Sequence, residues 1–569
     1  MMTNVQNFNP GIYGKEPLFK VREISTLKEM FETSTKMYAE RVAFLEKYDS
    51  KEAYTEISYQ QFRDDVYAMA TGLIDMGLRG KKIAVIGENS YRWIVTYMGV
   101  VTGVGTIVPI DKELPYDEIK YLLDFSGCEA IVASKKILKN KPELLDCGIK
   151  VISMADGETS MDSVMEKGRE LLASGDKTYE NAEVLPDDVN IILFTSGTTG
   201  VSKGVMLSHK NICSNLKNIC AVFKITHEDR VFSVLPLHHT YECTCGHLAE
   251  IYVGASVAYC QGLKYLTKNM QEVKPTMFFA VPLILQSIYK MLNRTLEKKG
   301  KAKTVKKGIA ITKLLLKFGI DIRRKIFAEI IENFGGELKM FLVGAAHIEP
   351  EILQFFTDIG ITSIQGYGMT ECSPLIAANR VCRHRNESAG LPIPEIYVKI
   401  DNPDENGIGE IIAKGDSVMV GYYNNPEETE KTLKDGWLHT GDLGYLDKGF
   451  IHITGRSKNV IITSNGKNVF PEEIEGYLCR SKYISETMVY EAEIDGKKVL
   501  SAQVYPEAEA IEETLGKGCS HDDITALIEE EVKLVNKDIP QWKAVANLIV
   551  RKEPFIKTTT QKIKRSANI

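Results

Sequence analysis

The chain has 569 residues, of which 44% are hydrophobic and 26% are charged, and its formal net charge is −6. This length exceeds what one hydrophobic core supports, so we expect several domains or subdomains. The composition is typical of a soluble globular protein, and the negative charge argues against a dedicated nucleic-acid binder.

The cysteines predict neither a zinc site nor a disulfide framework. The eleven residues are scattered, and no CxxC pair accompanies Cys243 and Cys245. An odd number of cysteines and the lack of a signal peptide fit a reducing compartment, so we expect a cytoplasmic protein. The apolar stretch 93–108 is shorter than the roughly 20 residues of a membrane-spanning helix, and we interpret it as a buried helix that runs into a buried strand.

Strand and helix signals alternate along the first part of the chain. This pattern predicts an α/β fold, with parallel sheets covered on both faces. Ligands bind beyond the carboxyl ends of such strands, where we expect loops to start at Thr195, Pro236, Gly344 and Gly366. The predicted strands are 82–87, 105–109, 130–133, 230–235, 339–343 and 362–365, and the predicted helices are 90–101, 116–125, 207–222 and 246–253.

The predicted strand length and the frequency of turn residues change in the second part of the sequence. Shorter strands and frequent Gly, Asn and Asp turns from about residue 385 predict a mainly β subdomain. A smaller α+β unit follows Lys458. Its predicted elements are a helix at 471–478, a hairpin of 487–493 with 498–505, and an amphipathic helix spanning 524–535.

The segment 294–325 is strongly basic and has apolar residues interspersed. Such a segment can touch an anionic membrane surface. A solvated helical surface on a large domain is the favoured interpretation, and weak peripheral membrane contact stays open.

The run TSGTTGVSKG, from Thr195 to Gly204, follows an apolar strand-like segment. Its glycines let the backbone approach phosphate oxygens, its hydroxyls and N–H groups can donate hydrogen bonds, and Lys203 adds a positive charge. It is not a Walker P-loop, because Gly204 follows the lysine where that motif has Ser or Thr. We therefore expect the loop to continue past Lys203. Alone, the run predicts only a phosphate site.

A second motif, QGYGMTE, follows a predicted strand. Tyr367 offers a flat face for a base, Thr370 a hydroxyl, and Glu371 a hard oxygen ligand for Mg²⁺. In a third motif, HTGDLG, Asp442 is suited to binding two ribose hydroxyls, although GDLG alone is typical of a turn. The remaining motifs, GRSKN at 455–459 and KTTTQKIKR at 557–565, would by themselves indicate a turn and a basic tail.

Together and in this order, the five motifs resemble the adenylate-forming superfamily of acyl-CoA synthetases, adenylation domains and luciferases, from about Leu27 to Arg565. The segments LPLHHTYE, QGYGMTECSP and TTTQKIKR are most similar to long-chain fatty-acid CoA ligases. The resemblance implies a large N-terminal domain, 1–457, of two doubly wound αβ subdomains plus the β-rich subdomain 385–457. A small mobile α+β C-terminal domain, 458–569, follows it.

The resemblance also implies roles for individual residues. The implied catalytic residues are Thr195, His239, Glu371 and Lys562, with Thr195 and Glu371 holding Mg²⁺ and Lys458 as the hinge. The residues implied to bind the nucleotide are Thr195, Ser196, Gly197, Thr198, Thr199, Gly200, Lys203, Gly344, Ala345, Gln365, Gly366, Tyr367, Gly368, Met369, Thr370, Asp442, Arg456, Lys458 and Lys562. The chain departs from the family pattern at Ser202, where proline is usual, and at Gln561, where glycine is usual. A longer loop at 464–469 leaves the coenzyme A site unassigned.

The implied reaction is ATP-dependent activation of a medium- to long-chain fatty acid to an acyl-adenylate, followed by transfer to coenzyme A. His238 and His239 stand where amino-acid-activating relatives carry an aspartate, and an unpaired ammonium in an apolar pocket would be costly. Two alternatives stay open. The first is an acyl- or aryl-acid ligase with another acceptor, such as a carrier protein. The second is a non-catalytic nucleotide-binding relative. No nucleic-acid partner is expected, and the oligomeric state is not predicted.

Overall fold

The computed structural model describes residues 12–13, 17–49, 51–155, 157, 159–195, 202–462, 467–494, 496–557 and 562–569. In these residues the strands are β1 Ile12–Tyr13, β2 Val42–Glu46, β3 Thr55–Ser58, β4 Lys82–Ile86, β5 Thr106–Pro109, β6 Cys128–Ala133, β7 Lys150–Ser153, β8 Val189–Thr195, β9 Lys203–Ser208, β10 Arg230–Ser233, β11 Ser256–Tyr259, β12 Met277–Ala280, β13 Met340–Val343, β14 Thr362–Gly368, β15 Leu375–Ala378, β16 Leu391–Pro392, β17 Tyr397–Asp401, β18 Gly409–Lys414, β19 Gly421–Tyr422, β20 Leu433–Lys434, β21 Trp437–Asp447, β22 Phe450–Arg456, β23 Ile461–Ile462, β24 Asn468–Val469, β25 Ile484–Ile494, β26 Lys497–Pro506 and β27 Asn547–Val550.

The α-helices of the same residues are α1 Leu27–Met37, α2 Tyr59–Asp75, α3 Tyr91–Gly99, α4 Tyr116–Ser126, α5 Lys135–Asn140, α6 Met161–Ala173, α7 His209–Val222, α8 Ala249–Val253, α9 Leu266–Val273, α10 Pro282–Lys298, α11 Ala302–Leu316, α12 Arg323–Ile326, α13 Ala328–Glu332, α14 Pro350–Asp358, α15 Pro426–Thr432, α16 Pro471–Leu478, α17 Ala508–Leu515 and α18 His521–Asp538. Two π-helical segments, Val100–Val104 and Tyr241–Leu248, precede β5 and α8.

The described strands pair into five sheets. Their orders are β19-β9-β8-β5-β4-β6-β7, β16-β15-β14-β13-β12-β10-β11-β2-β3, β1-β17-β18-β21-β20 with β22 on β21, β23-β24, and β25-β26-β27. The first sheet is parallel from β8 to β7 and antiparallel at its other edge, and the second is parallel inside and antiparallel at both edges. This arrangement confirms the predicted α/β class.

The first two sheets share one hydrophobic core. Val85 of β4 and Val231 of β10 belong to the same buried cluster as residues of α1, α2 and α7. Helices α2 and α6 pack closely because Gly168 has no Cβ, which would lie 1.9 Å from the carbonyl oxygen of Ala68. The stretch 93–108 is the buried helix and strand that the sequence predicts, and among the described residues no helix is both long and apolar enough to cross a bilayer.

Two predicted boundaries were wrong in the region of the first motif. The chain does not stay in a loop past Lys203, because β9 begins there and pairs antiparallel with β8, with Thr195 opposite Lys203. The helix predicted from residue 207 begins at His209 instead. Ser208 ends the strand and caps the helix, its hydroxyl accepting from the backbone N–H of Asn211.

The second half is rich in β-structure, as predicted, and three of its strands, β16, β19 and β20, have only two residues each, although others are long. Strand β21 has eleven residues and pairs with both β18 and β22. The helix, hairpin and amphipathic helix predicted after residue 471 are α16, β25–β26 and α18. Their apolar residues form a separate buried cluster that includes Ile474, Val489 and Ile528. The boundary between residues 457 and 458 stays a prediction.

Candidate nucleotide and acid site

The predicted site residues lie on or directly after strands of three sheets. Thr195 ends β8, Gly344 follows β13, and Tyr367 lies near the end of β14. Asp442 lies within β21, and Arg456 ends β22. Strands from distant parts of the sequence thus present the motifs to one region.

Asp442 is the centre of a buried polar cluster. The pairing of β21 with β22 places Asp442 opposite Arg456, whose Nε lies 2.8 Å from Oδ1 of the aspartate. The hydroxyl of Tyr367 donates to Oδ2 at 2.7 Å. The Asp442 carboxylate raises the pKa of Arg456, while burial first and this carboxylate next raise that of Tyr367. Three residues predicted from separate motifs therefore touch one another, with Asp442 in a strand and not in the turn that GDLG alone suggests.

The segment from Gln365 to Gly368 is strand, not the loop expected to start at Gly366. Strand β14 continues because β15 pairs antiparallel with it. Gly368 permits this pairing, since a Cβ there would lie 2.0 Å from the carbonyl oxygen of Pro374. The chain leaves the strand only at Met369, and Thr370–Cys372 forms a single 3₁₀ turn that carries Glu371.

Glu371 is buried beside a tyrosine that the sequence analysis missed. The hydroxyl of Tyr422 donates to Oε1 of Glu371 at 2.8 Å, and its ring centroid lies 5.1 Å from Nζ of Lys203. Lys203 also pairs with Glu428. Tyr422 therefore connects the lysine of the first motif with the glutamate of the second. No local pattern marks it, because the connection depends on β19 pairing with β9.

Part of the predicted phosphate loop lies outside the described residues. These are Ser196, Gly197, Thr198, Thr199 and Gly200, and residues 463–466 and Gln561 are likewise outside. Thr195 and Lys203 flank the loop, and the hydroxyl of Thr195 points to the carbonyl oxygen of Lys203 at 3.5 Å. The roles assigned to the loop stay predictions.

Two adjacent histidines follow β10. The rings of His238 and His239 are 4.1 Å apart, and Nε2 of His238 lies 3.6 Å from Oδ2 of Asp111. Burial lowers the pKa of His238 to about 3. Burial, the neighbouring His238 and the Lys562 charge hold the pKa of His239 well below its usual value, against the opposing charge of Asp111. Both imidazoles are therefore neutral near pH 7, so His239 can offer a hydrogen bond but no charge.

Lys562 reaches this region from the C-terminal end of the chain. Solvent reaches part of this residue, but protein groups surround its ammonium and desolvate it. Burial first, and then the charge of Arg456, lower the pKa of its ammonium to about 8, against the opposing charges of Asp442 and Glu371. Lys458 lies in a 3₁₀ turn directly after β22. The hydrogen bond with Lys203 is the main cause that lowers the pKa of Glu428, and the charge of Lys458 adds to this effect.

A small apolar cavity of about 20 Å³ lies beside Gly366 of the second motif. Its walls include Gly366, Val343, Phe279 and two residues of the π-helical segment, Tyr241 and Cys245. At its edge Ala345 has a φ of 76°, and a Cβ on Gly344 would lie 3.2 Å from the Tyr241 ring. A larger groove of about 340 Å³, lined by Glu23, Lys210 and Asp416 among others, contains none of the predicted site residues.

No group of three or more His, Cys, Asp or Glu side chains that could hold a metal occurs in the described part of the chain. Glu371 is a single carboxylate with one oxygen bonded to Tyr422. Such a site suits a cation that keeps most of its ligands from water and phosphate, as Mg²⁺ does.

Comparison with known proteins gives a family match and full-length relatives. A family model described as AMP-binding enzyme matches residues 31–423. The chain is 29% identical to "Long-chain-fatty-acid--CoA ligase 5" of Rattus norvegicus, over 90% of this chain and 82% of that protein. It is 26% identical to "Long-chain-fatty-acid--[acyl-carrier-protein] ligase AEE15, chloroplastic" of Arabidopsis thaliana, over 95% of this chain and 85% of that protein.

Solved structures share the fold. An anthranilate CoA ligase, AuaEII, in complex with anthranoyl-AMP aligns with a TM-score of 0.77 at 18% identity, covering 97% of this chain and 96% of that one. O-succinylbenzoate coenzyme A synthetase from Bacillus subtilis, in complex with AMP, aligns with a TM-score of 0.70 at 22% identity, covering 94% and 97%. These neighbours confirm the predicted fold.

Proposed function

Because the chain belongs to the AMP-binding enzyme family, we propose that it activates a fatty acid with ATP and transfers the acyl group to coenzyme A. Membership of this family confirms the resemblance drawn from the motifs, and it confirms that the protein is an AMP-forming ligase. Its relatives include proteins named long-chain-fatty-acid–CoA ligases, which match most of its length. The medium to long chain length is part of this proposal.

The observation that carries the proposal is the position of the apolar cavity. Gly366 lines it, and the next residue, Tyr367, is bonded to Asp442. An acid whose hydrocarbon part enters the protein at this cavity, which must widen to admit it, has its carboxylate beside the groups proposed to hold the nucleotide. Each buried CH₂ would contribute about 0.8 kcal/mol, so an alkyl chain suits the cavity better than a polar acid.

The polar cluster supplies the contacts that a nucleotide needs. Asp442 has two carboxylate oxygens for the ribose hydroxyls, Arg456 adds a second contact, and Tyr367 offers a face to adenine. In the reaction a carboxylate oxygen attacks the α-phosphorus of ATP. The bond to the β-phosphate oxygen breaks, and pyrophosphate leaves with that electron pair. Lys562 and Lys203 reduce the repulsion between the two anions.

Mg²⁺ would be held by Glu371 and Thr195 together with phosphate oxygens. When bound, it would neutralise part of the phosphate charge. The single carboxylate and the hydroxyl fit a cation that arrives with the nucleotide.

The second step is thiolate attack on the acyl carbonyl with release of AMP. Lys562 has no task in that step, so we propose that the region 458–569 rotates about Lys458 between the two half-reactions. Such a rotation would break polar contacts between described residues of the two regions. Lys290 donates to the carbonyl oxygen of Ile484 at 3.1 Å, and Lys298 pairs with Glu513 at 3.2 Å near the Arg294–Glu509 pair.

Acid-dependent exchange of labelled pyrophosphate into ATP tests the first half-reaction. We expect exchange with saturated acids, rising as the acid is lengthened from C4 toward C16, and little exchange with amino acids. Exchange with none of these acids would contradict the proposal and favour a non-catalytic nucleotide-binding relative. Exchange only with aryl acids would replace the fatty acid by an aryl acid.

Acceptor competition tests the second half-reaction. The Arabidopsis relative named an acyl-carrier-protein ligase makes a carrier protein the second candidate acceptor. We expect AMP release to require free coenzyme A. Faster release with a pantetheine-loaded carrier protein than with coenzyme A would favour the alternative. A cytoplasmic location is likewise our proposal.

A further inference from the structure

The solvent face of α11 carries apolar and basic side chains together. We define the α11 face as the exposed residues Lys303, Lys306, Lys307, Ile311, Leu314, Lys317 and Phe318. We propose that this face docks on an anionic lipid bilayer. The inference does not depend on which acid the protein uses, because the α11 face shares no residue with the candidate site.

The apolar part of the face is exposed to an unusual degree. Phe318 is 74% exposed, Leu314 57% and Ile311 54%. Ile311 and Leu314 are three residues apart and lie on one side of α11, and Phe318 follows in the turn just past its end. The opposite side of α11 is already occupied, since Val305, Ile309 and Ala302 pack against a buried cluster. The three apolar side chains therefore point away from the protein.

The sequence stretch that carries these side chains has charges of one sign. From residue 298 to residue 320 the sequence contains eight lysines and no Asp or Glu, in a chain whose net charge is −6. Lys301 pairs with Glu329 at 2.6 Å and Lys313 with Asp358 at 2.8 Å. The other lysines of α11 face solvent without an ion pair to any described residue: Lys303, Lys306, Lys307 and, just past its end, Lys317.

An anionic bilayer satisfies both components at once. Apolar side chains of an amphipathic helix enter the boundary between headgroups and acyl chains, and lysines contact anionic headgroups. A second copy of the same face would bring like charges together, which opposes self-association. Lysines alone could bind many anions, but Phe318 and Leu314 would then stay in water.

Vesicle co-sedimentation of the full-length protein tests the proposal. The probes are phosphatidylcholine vesicles with and without 30% phosphatidylglycerol, at low and high salt. We expect binding to the anionic vesicles only, weakening as salt screens the charges. At about five-fold per lysine, Lys303→Gln with Lys306→Gln and Lys307→Gln should lower the partition coefficient about a hundred-fold.

Two further variants separate the causes. The matched control neutralises exposed lysines elsewhere, as Lys139→Gln with Lys224→Gln and Lys434→Gln, and should bind like the wild type. Leu314→Ser with Phe318→Ser should weaken binding at least ten-fold while the three tested lysines remain. Acid-dependent pyrophosphate exchange with a short, water-soluble acid verifies that each variant is folded and should not change.

The proposal is overturned if the wild type ignores anionic vesicles, or if the control variant loses as much binding as the α11 variant. Equal binding to neutral vesicles would remove the role of the lysines. A dimer in solution that dissociates in the Leu314→Ser, Phe318→Ser variant, without vesicle binding, would assign the face to a second copy of the chain.

Discussion

The pH dependence of adenylation follows from the position of Lys562. Burial beside Arg456 lowers the pKa of its ammonium from 10.5 to about 8. The charged form is therefore about 90% of the total at pH 7 and about 10% at pH 9. The positive charge of Lys562 reduces the repulsion between the carboxylate and the phosphate. We therefore expect kcat/KM for ATP in pyrophosphate exchange to be constant below about pH 7. Above about pH 8 it should fall roughly ten-fold per pH unit.

Three variants isolate this side chain. Lys562→Arg keeps its charge at every accessible pH, so this variant should remain active and its kcat/KM should not decrease above about pH 8. Lys562→Ala should lower the exchange rate about 10²–10³-fold, as loss of an electrostatic contact in a reaction centre does. It should leave thioester formation from supplied acyl-AMP largely intact. Lys564→Ala is the control and should keep the wild-type profile.

A flat wild-type profile from pH 7 to 10 would refute the assignment of a charged Lys562 to adenylation. Persistence of the alkaline fall in Lys562→Arg would assign that titration to another group. Equal loss of both half-reactions in Lys562→Ala would contradict the rotation proposed for the C-terminal region.

Other substitutions test the site and the fold. Asp442→Ala should mainly raise the apparent KM for ATP, by about 10–100-fold if two charge-assisted hydrogen bonds to ribose are lost, and an unchanged KM would remove this residue from the ribose site. Tyr422→Phe frees the buried carboxylate to which its hydroxyl donates, so we expect an altered Mg²⁺ dependence of exchange. Tyr423→Phe, which removes a long bond of 3.3 Å to a backbone carbonyl elsewhere, should behave like the wild type, and equal behaviour of the two variants would contradict the role of Tyr422. Gly168→Ala should lower the unfolding free energy by about 1–3 kcal/mol through its clash with α2, whereas Gly99→Ala, whose nearest neighbour is 3.6 Å from the new Cβ, should not lower it, and similar melting temperatures would contradict the packing described.

The buried strands and helices of the first half could be predicted from sequence because their apolar runs are local signals. Lys82–Ile86 and Thr106–Pro109 are continuous apolar strands that the sequence marks within a residue or two. The strand that begins at Lys203 could not be found in this way. Its start reads as loop composition, and it is a strand because β8 lies beside it.

In the candidate site, too, the sequence indicates individual residues but not the contacts between them. Glycines, hydroxyls and charges at strand ends point to Asp442, Tyr367 and Glu371 individually. That Tyr367 donates to Asp442, and that Tyr422 donates to Glu371, depends on pairings between strands far apart in the sequence. Depth of burial, which sets the pKa of Lys562, is also a property of the assembled fold.

A crystal structure with a non-hydrolysable acyl-AMP analogue would show where the nucleotide binds. We expect the ribose hydroxyls to lie on Asp442, adenine to pack on Tyr367, and the acyl chain to enter the cavity lined by Gly366 and Tyr241. A nucleotide bound away from Asp442 and Tyr367 would contradict this expectation.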